Sequence, residues 1–148
     1  MNIIWKIRLP RVLMAGILGG ALALSGFLLQ TFFSNPIAGP YVLGISSGAK
    51  MMVALAMIIF LKYYTLVSSY ILIIAAFIGS MLSIGFILLL ARKIRNMATL
   101  LVGGIMIGYI CSAVTDFVVT FAEDSDIVNL HGWSQGSFSG MSWSNVKV

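Results

Sequence analysis

The chain has 148 residues, 60% hydrophobic and only 9% charged, with a mean hydropathy of +1.06 and a formal net charge of +5. A soluble domain carries about a quarter charged residues, so there is too little polar surface here to face water; the chain reads as one domain, residues 1–148, passing repeatedly through a lipid bilayer. Its cations lie in short clusters between apolar runs, the pattern that orients a membrane protein and not that of a nucleic-acid binder, and a lone Cys111 excludes an intrachain disulfide or a Cys/His metal site.

Lys6, Arg8 and Arg11 precede an uncharged run from Val12 to Phe33. That run exceeds the roughly 7 to 15 apolar residues of a signal peptide and lacks a small-x-small cleavage site, so it reads as a spanning helix, for which about 20 apolar residues suffice. Within it Gly16, Gly19, Ala23, Gly26 and Gln30 recur at three- and four-residue spacing, a small-residue face that lets another helix approach. Asn35-Pro36 and Gly39-Pro40 cannot continue a helix, and backbone this irregular beside a membrane must be buried in protein or line an aqueous cavity. The segment Tyr41–Tyr64 is opened by Gly44, Ser46, Ser47 and Gly48, and reads as irregular backbone feeding a shorter helix from about Ser47 to Leu61.

Two further spans follow, Leu66–Ala91 and Met97–Ala122, joined by the basic turn Arg92-Lys93-Ile94-Arg95-Asn96. The second repeats the small-residue device at Gly104, Gly108, Ser112 and Thr115. Beyond Ala122 come Glu123, Asp124 and Asp126 in one acidic turn, then a Gly/Ser/Trp stretch to Trp143. The expected fold is an all-α, polytopic transmembrane bundle of about four spans and the start of a fifth. The two basic clusters fall on opposite faces of the membrane, so charge counting leaves the orientation tied.

Few residues could carry chemistry. Asp116 is the one acid inside a span and lies near its end, where an interfacial position competes with a role in a polar pathway. Lys50, near a helix start, is expected to reach the interface. Gly44-Ile45-Ser46-Ser47-Gly48 matches the G-x-S-x-G pattern of serine hydrolases, with His131 and Asp126 as nominal partners, but that elbow needs a strand before it. No phosphate loop, metal cluster or paired catalytic carboxylates is present, so no enzyme activity, cofactor or metal is expected.

Three stretches resemble one family in its order: Arg8-Leu9-Pro10-Arg11 running into the helix up to Gln30; Asn35-Pro36-Ile37-Ala38-Gly39-Pro40-Tyr41-Val42-Leu43-Gly44-Ile45-Ser46-Ser47-Gly48-Ala49; and Trp133-Ser134-Gln135-Gly136-Ser137-Phe138-Ser139-Gly140-Met141-Ser142-Trp143. They look like the FecCD-type permease subunit of bacterial ABC importers for iron-siderophore, haem and cobalamin. The resemblance implies a ten-helix permease of the bacterial cell membrane that pairs with a second permease subunit, passes substrate along the dimer axis, receives it from an extracytoplasmic substrate-binding protein and is driven by separate ATP-binding subunits. It implies that Arg8 and Arg11 face outside and dock the binding protein, that the Arg92 to Arg95 turn is cytoplasmic, and that Gly104, Gly108, Ser112 and Thr115 lie along the translocation path.

Against that pattern the chain begins just before the family's second helix and stops where the sixth should start. The expectation is therefore a permease fragment that cannot transport alone, the alternative being a non-transporting membrane remnant or scaffold. Lys50 stands where the family usually has a small residue, an obstacle to close packing there. The motifs are common to carriers of different chelates and do not name the cargo.

Overall fold

The computed structural model describes residues 3–61, 69–139 and 143–146, so the expected start of one span at Leu66 and the motif residues Gly140, Met141 and Ser142 lie outside the described residues. Pro10 has no N–H to give, and its ring crowds the carbonyl four residues back. The backbone before it widens into one π-helical turn, Ile4–Arg8, closed by the Leu9 N–H on the Ile4 carbonyl. Helix α1 then runs Leu9–Phe33, beginning before the expected Val12 because Pro10 is tolerated in a first helical turn.

Ser34 ends α1 in the left-handed region (φ 49°), with its N–H on the Thr31 carbonyl at 3.2 Å and the Asn35 N–H on the Gln30 carbonyl at 3.0 Å, a Schellman cap. The Asn35 side chain accepts the Ile37 N–H at 3.0 Å. From here the chain turns back into the bundle. Ala38 and Leu43 are each 1% exposed, and the Pro40 carbonyl accepts the Ile45 N–H at 3.1 Å as α2, Ile45–Leu61, begins. The helix starts two residues before the expected Ser47 because this turn already satisfies its first donors.

Helix α3, Ser69–Ala91, runs antiparallel to α2; after the basic turn, α4, Met97–Val119, runs parallel to it. Asn96 caps α4 by accepting the N–H groups of Ala98 at 2.9 Å and Thr99 at 3.4 Å. The acidic turn and the beginning of the Gly/Ser/Trp stretch after it form another helix, α5, Asp124–Gln135. Glu123 is extended at its N-cap, Asp124 and Asp126 occupy the positive end of the dipole, and Gly136 at φ 71° ends it. Leu130 and Trp133 then pack on α2, and His131 lies on the same helix. A last short helix, α6, spans Trp143–Val146.

Among the described residues, three helical stretches are long and apolar enough to cross a membrane: Ile4–Phe33, Tyr70–Ala91 and Met97–Val119. Between them α2 is the central strut, in contact with α3, α4 and α5. One core cluster, with Phe33, Leu43, Ile87 and Leu100, lies at the end carrying the basic turn; the other, with Val53, Met57, Ala75 and Leu130, lies at the acidic end. Hydroxyls within the helices bond back to their own turns, as Ser80 does to the Ala76 carbonyl at 2.8 Å.

The closest backbone contacts set these positions. A Cβ placed on Gly44, whose φ is +71°, would lie 2.5 Å from the Gly108 nitrogen and 2.9 Å from the Gly104 carbonyl oxygen. One turn on, Gly48 meets Gly79 backbone to backbone, with Ser83 beside them, and this approach is made although Lys50 is only two residues away and half-buried. Gly104 and Gly108 lie about 10 and 16 Å along α4 from Met97, so α2 starts well inside the apolar layer. By contrast Gly16, Gly19, Gly20 and Gly26 of α1 have open space where a Cβ would go.

Replacing Gly44 combines left-handed strain with a backbone clash, each on the order of 1–3 kcal/mol. Gly44→Ala is therefore expected to lower the thermal midpoint of the detergent-solubilised protein by several degrees, whereas Gly16→Ala or Gly19→Ala leaves it unchanged or slightly raised. Equal midpoints for Gly44→Ala and the original chain would disprove the assignment of Gly44 as the central contact.

Candidate functional site

The buried turn and α4 together build an open groove. Its wall is Tyr41 and Val42 of the turn, Ser47 of α2, and Ile105, Gly108, Tyr109 and Ser112 of α4, around a volume of about 360 Å³. Ser47 is there because α2 starts early; it is the third residue after Gly44, which is clamped on α4. Gly108 must be glycine because the Gly44 Cα would stand only 3.0 Å from a Cβ placed on it. Four hydroxyl-bearing residues, Tyr41, Ser47, Tyr109 and Ser112, thus border one cavity, with the two tyrosines 77% and 71% exposed. Such a wall can exchange hydrogen bonds with a passing polar solute and stack on its rings without gripping it.

A larger hollow of about 580 Å³ lies between α3 and α4, but it is walled almost entirely by groups such as Leu82, Phe86, Met106 and Ile110 and offers a polar ligand little. Among the described residues no group of three metal-ligating side chains occurs.

The small-residue series of α4 divides in two. Gly104, Gly108 and Thr115 are buried, the glycines against the turn, while the Thr115 hydroxyl donates to the Cys111 carbonyl at 2.8 Å. Ser112 alone is exposed and borders the groove. The motif residues Asn35 and Pro40 shape the turn, Pro36 is exposed on it, Gly44 and Gly48 are its contacts with α4 and α3, and Ser46 and Ser47 open α2 half-buried. Tyr41 and Tyr109 were not singled out from sequence; the available signal was a phenol inside an otherwise apolar span and another in a Pro-bounded turn.

Ser46 is not on a strand-to-helix elbow, since a turn precedes it, and His131 Nε2 is hydrogen-bonded to the Gln135 side chain at 2.9 Å, one turn along its own helix. The local geometry of a hydrolase is absent there. Asp116 is exposed three residues before the end of α4. Lys50 lies deeper than its place near a helix start suggested, because that start is itself inside the apolar layer; a lysine at the centre of a spanning helix costs about 2.5–3.5 kcal/mol on insertion scales.

At the acidic end, the first and third motif stretches meet. Arg8 is exposed on the π-helical turn. Arg11 is half-buried, donates from a terminal guanidinium nitrogen to the Ser139 carbonyl, and keeps its buried Nε without a partner. The Trp143 indole N–H donates to the Trp5 carbonyl at 2.8 Å. These two contacts tie the chain after α5 back to the start of α1.

The FecCD transport family model matches residues 1–148. The chain is 40% identical over 147 residues to the hemin transport system permease of Yersinia pestis, covering 98% of this chain and 44% of that protein. It is 36% identical over 143 residues to the vitamin B12 import system permease of Klebsiella pneumoniae, covering 97% and 42%. Among solved structures, an inward-facing ABC transporter described as of metal-chelate type superposes with a TM-score of 0.84 at 26% identity, over 99% of this chain and 45% of that one. The chain thus spans less than half the length of the relatives it matches.

A hydrogen bond from a charged donor contributes about 1.5–3 kcal/mol. Arg11→Gln is expected to speed amide hydrogen exchange in peptides covering residues 133–146 by roughly tenfold, with Arg8→Gln leaving it unaltered. Similar exchange in both variants would rule out the Arg11 tether.

Proposed function

The chain belongs to the FecCD transport family, and from that we propose that it builds part of the membrane permease of an ABC importer for metal chelates, with haem, cobalamin and iron-siderophore complexes as the candidate cargo. The observation that carries the reading is the family match across residues 1–148; the multi-pass architecture and the hydroxyl-bordered groove support it. The permease is a transport component and not itself the catalyst. It works with a second permease subunit, ATP-binding subunits and an extracytoplasmic substrate-binding protein in a bacterial inner membrane.

In this reading the groove at Tyr41, Ser47, Tyr109 and Ser112 lines the path, and Gly104, Gly108 and Thr115 hold its wall in place from behind. Weak, uncharged hydroxyl contacts suit a conduit that accepts cargo from a tight binder and must release it. Arg8 and Arg11 form the docking edge for the binding protein: the exposed Arg8 supplies charge complementarity, which chiefly speeds correct encounter, while Arg11 also fixes the shape of that edge. The basic turn Arg92 to Arg95 faces the cytoplasm and the acidic turn at Glu123 faces outside.

The test is uptake of radiolabelled haem, cobalamin and ferric siderophore in cells lacking their own permease. They carry the reading frame containing this segment, with the matching binding protein and ATPase. Import of at least one chelate is expected, and Ser112→Trp should cut it at least about tenfold with membrane abundance preserved, because a bulky side chain at an exposed position fills the groove without disturbing the core. A correctly inserted protein that imports none of the three sinks the proposal.

A further inference from the structure

Two contacts fix how α2 and α4 run past one another. Gly44, just before α2, lies against Gly104 and Gly108; toward its other end Met57 belongs to a cluster against which Val119 packs. Gly44 and its α4 partners are about 60 residues apart, as are Met51 and the residues Ile107, Ile110 and Cys111 that wall one hollow with it, as expected for parallel helices in step. By that register Lys50 lies level with Ser112, about 22 Å from the start of α4 and about 10 Å from its end.

Lys50 follows Ser47 by three residues and so shares its side of α2, the side that borders the groove. Side chains on a helix lean toward its N-terminus. For Lys50 that direction is toward Ser47 and the groove, away from the nearer membrane surface. Its residue is half-buried, and its own helix and α3 contain no acid. The chain has four carboxylates; Asp116 lies one turn beyond Ser112 on α4, and Glu123, Asp124 and Asp126 lie beyond that helix.

We propose that Lys50 gives the Tyr41–Ser47–Tyr109–Ser112 groove a positive potential at mid-depth, making it selective for anionic metal chelates, those bearing free carboxylates or ionised catechols, over neutral or cationic ones. The inference rests on the conduit reading above and narrows its substrate class. A cation in a partly desolvated groove acts strongly on a charged solute because the surrounding dielectric screens it poorly. Four neutral hydroxyls cannot discriminate in this way. Asp116 opposes the effect at the acidic end, so removing its charge strengthens it.

The potential can be read without knowing the cargo. With Ser112→Cys in a Cys111→Ala background, the full protein in vesicles is treated with two thiol reagents of similar size, an anionic sulfonatoethyl and a cationic trimethylammonioethyl methanethiosulfonate. The ratio of their rates at position 112 is compared with that at an exposed reference cysteine. The ratio is expected to favour the anion at least about fivefold, to fall to near one in Lys50→Gln, to persist in Lys50→Arg and to rise in Asp116→Asn. A ratio unchanged by Lys50→Gln, or a cysteine at 112 that reacts with neither reagent, overturns the inference.

Uptake supplies the separate arm. Haem, with its two carboxylates, is expected to lose import at least about tenfold in Lys50→Gln, and cobalamin, which lacks a net negative charge, less than twofold. Equal losses for both overturn the selectivity. An intact reagent ratio with no uptake of any chelate overturns the transport reading and not the charge assigned to the groove.

Discussion

The arrangement depends on one contact, the backbone of Gly44 seated on Gly104 and Gly108. A membrane offers helices no hydrophobic reward for meeting one another, so closeness of packing must supply the adhesion, and glycine permits the closest approach. The contact carries an irregular segment to membrane depth, where unsatisfied peptide groups are costly unless protein surrounds them. Ala38 and Leu43 are almost wholly enclosed, and the turn closes its own hydrogen bonds onto the Gly39, Pro40 and Tyr41 carbonyls. Everything downstream inherits its position from there. The early start of α2, its meeting with α3 at Gly48 and Gly79, and the level of Ser47 and Lys50 follow from where Gly44 is held.

The acids are gathered at one end of the bundle. All four acids occur from Asp116 onward, whereas Arg92, Lys93 and Arg95 stand exposed at the opposite end. The acids at the start of α5 fit its dipole, and that helix in turn covers α2 through Leu130 and Trp133. At the same end Arg11 serves two purposes: it adds charge to the exposed edge, and its bond to the Ser139 carbonyl ties the segment after α5 to the first helix. The edge at the start of the first helix is thereby given a fixed shape.

Glycine has different consequences in different helices. In α4 and at the entry to α2 it is consumed by contacts within the chain. In α1 the same residue type, at the same spacing, meets nothing within 4 Å. The groove lies where packing against the turn gives way to exposed hydroxyls. One helix, α4, supplies both, glycine on its buried side and Tyr109 and Ser112 on the open side.

Composition and periodicity alone established a multi-pass helical membrane protein and located its long spans, because lipid imposes a length and an apolarity that any crossing helix must meet. The basic turn and the Pro-bounded break were equally legible, since charge and the missing proline N–H act locally, and the motif stretches were sufficient to point to the family. Helix α5 was missed although acids at its start and Gly136 at its end marked it, because its polar surface hides the few apolar residues that dock on α2. Tertiary structure alone separated Ser112 from Gly104, Gly108 and Thr115, since helical spacing assigns residues to a face but not which edge of that face a neighbour covers. It also set the depth of Lys50: a helix start reads as a membrane surface in sequence, and only the seat of Gly44 on α4 puts that start inside the bilayer.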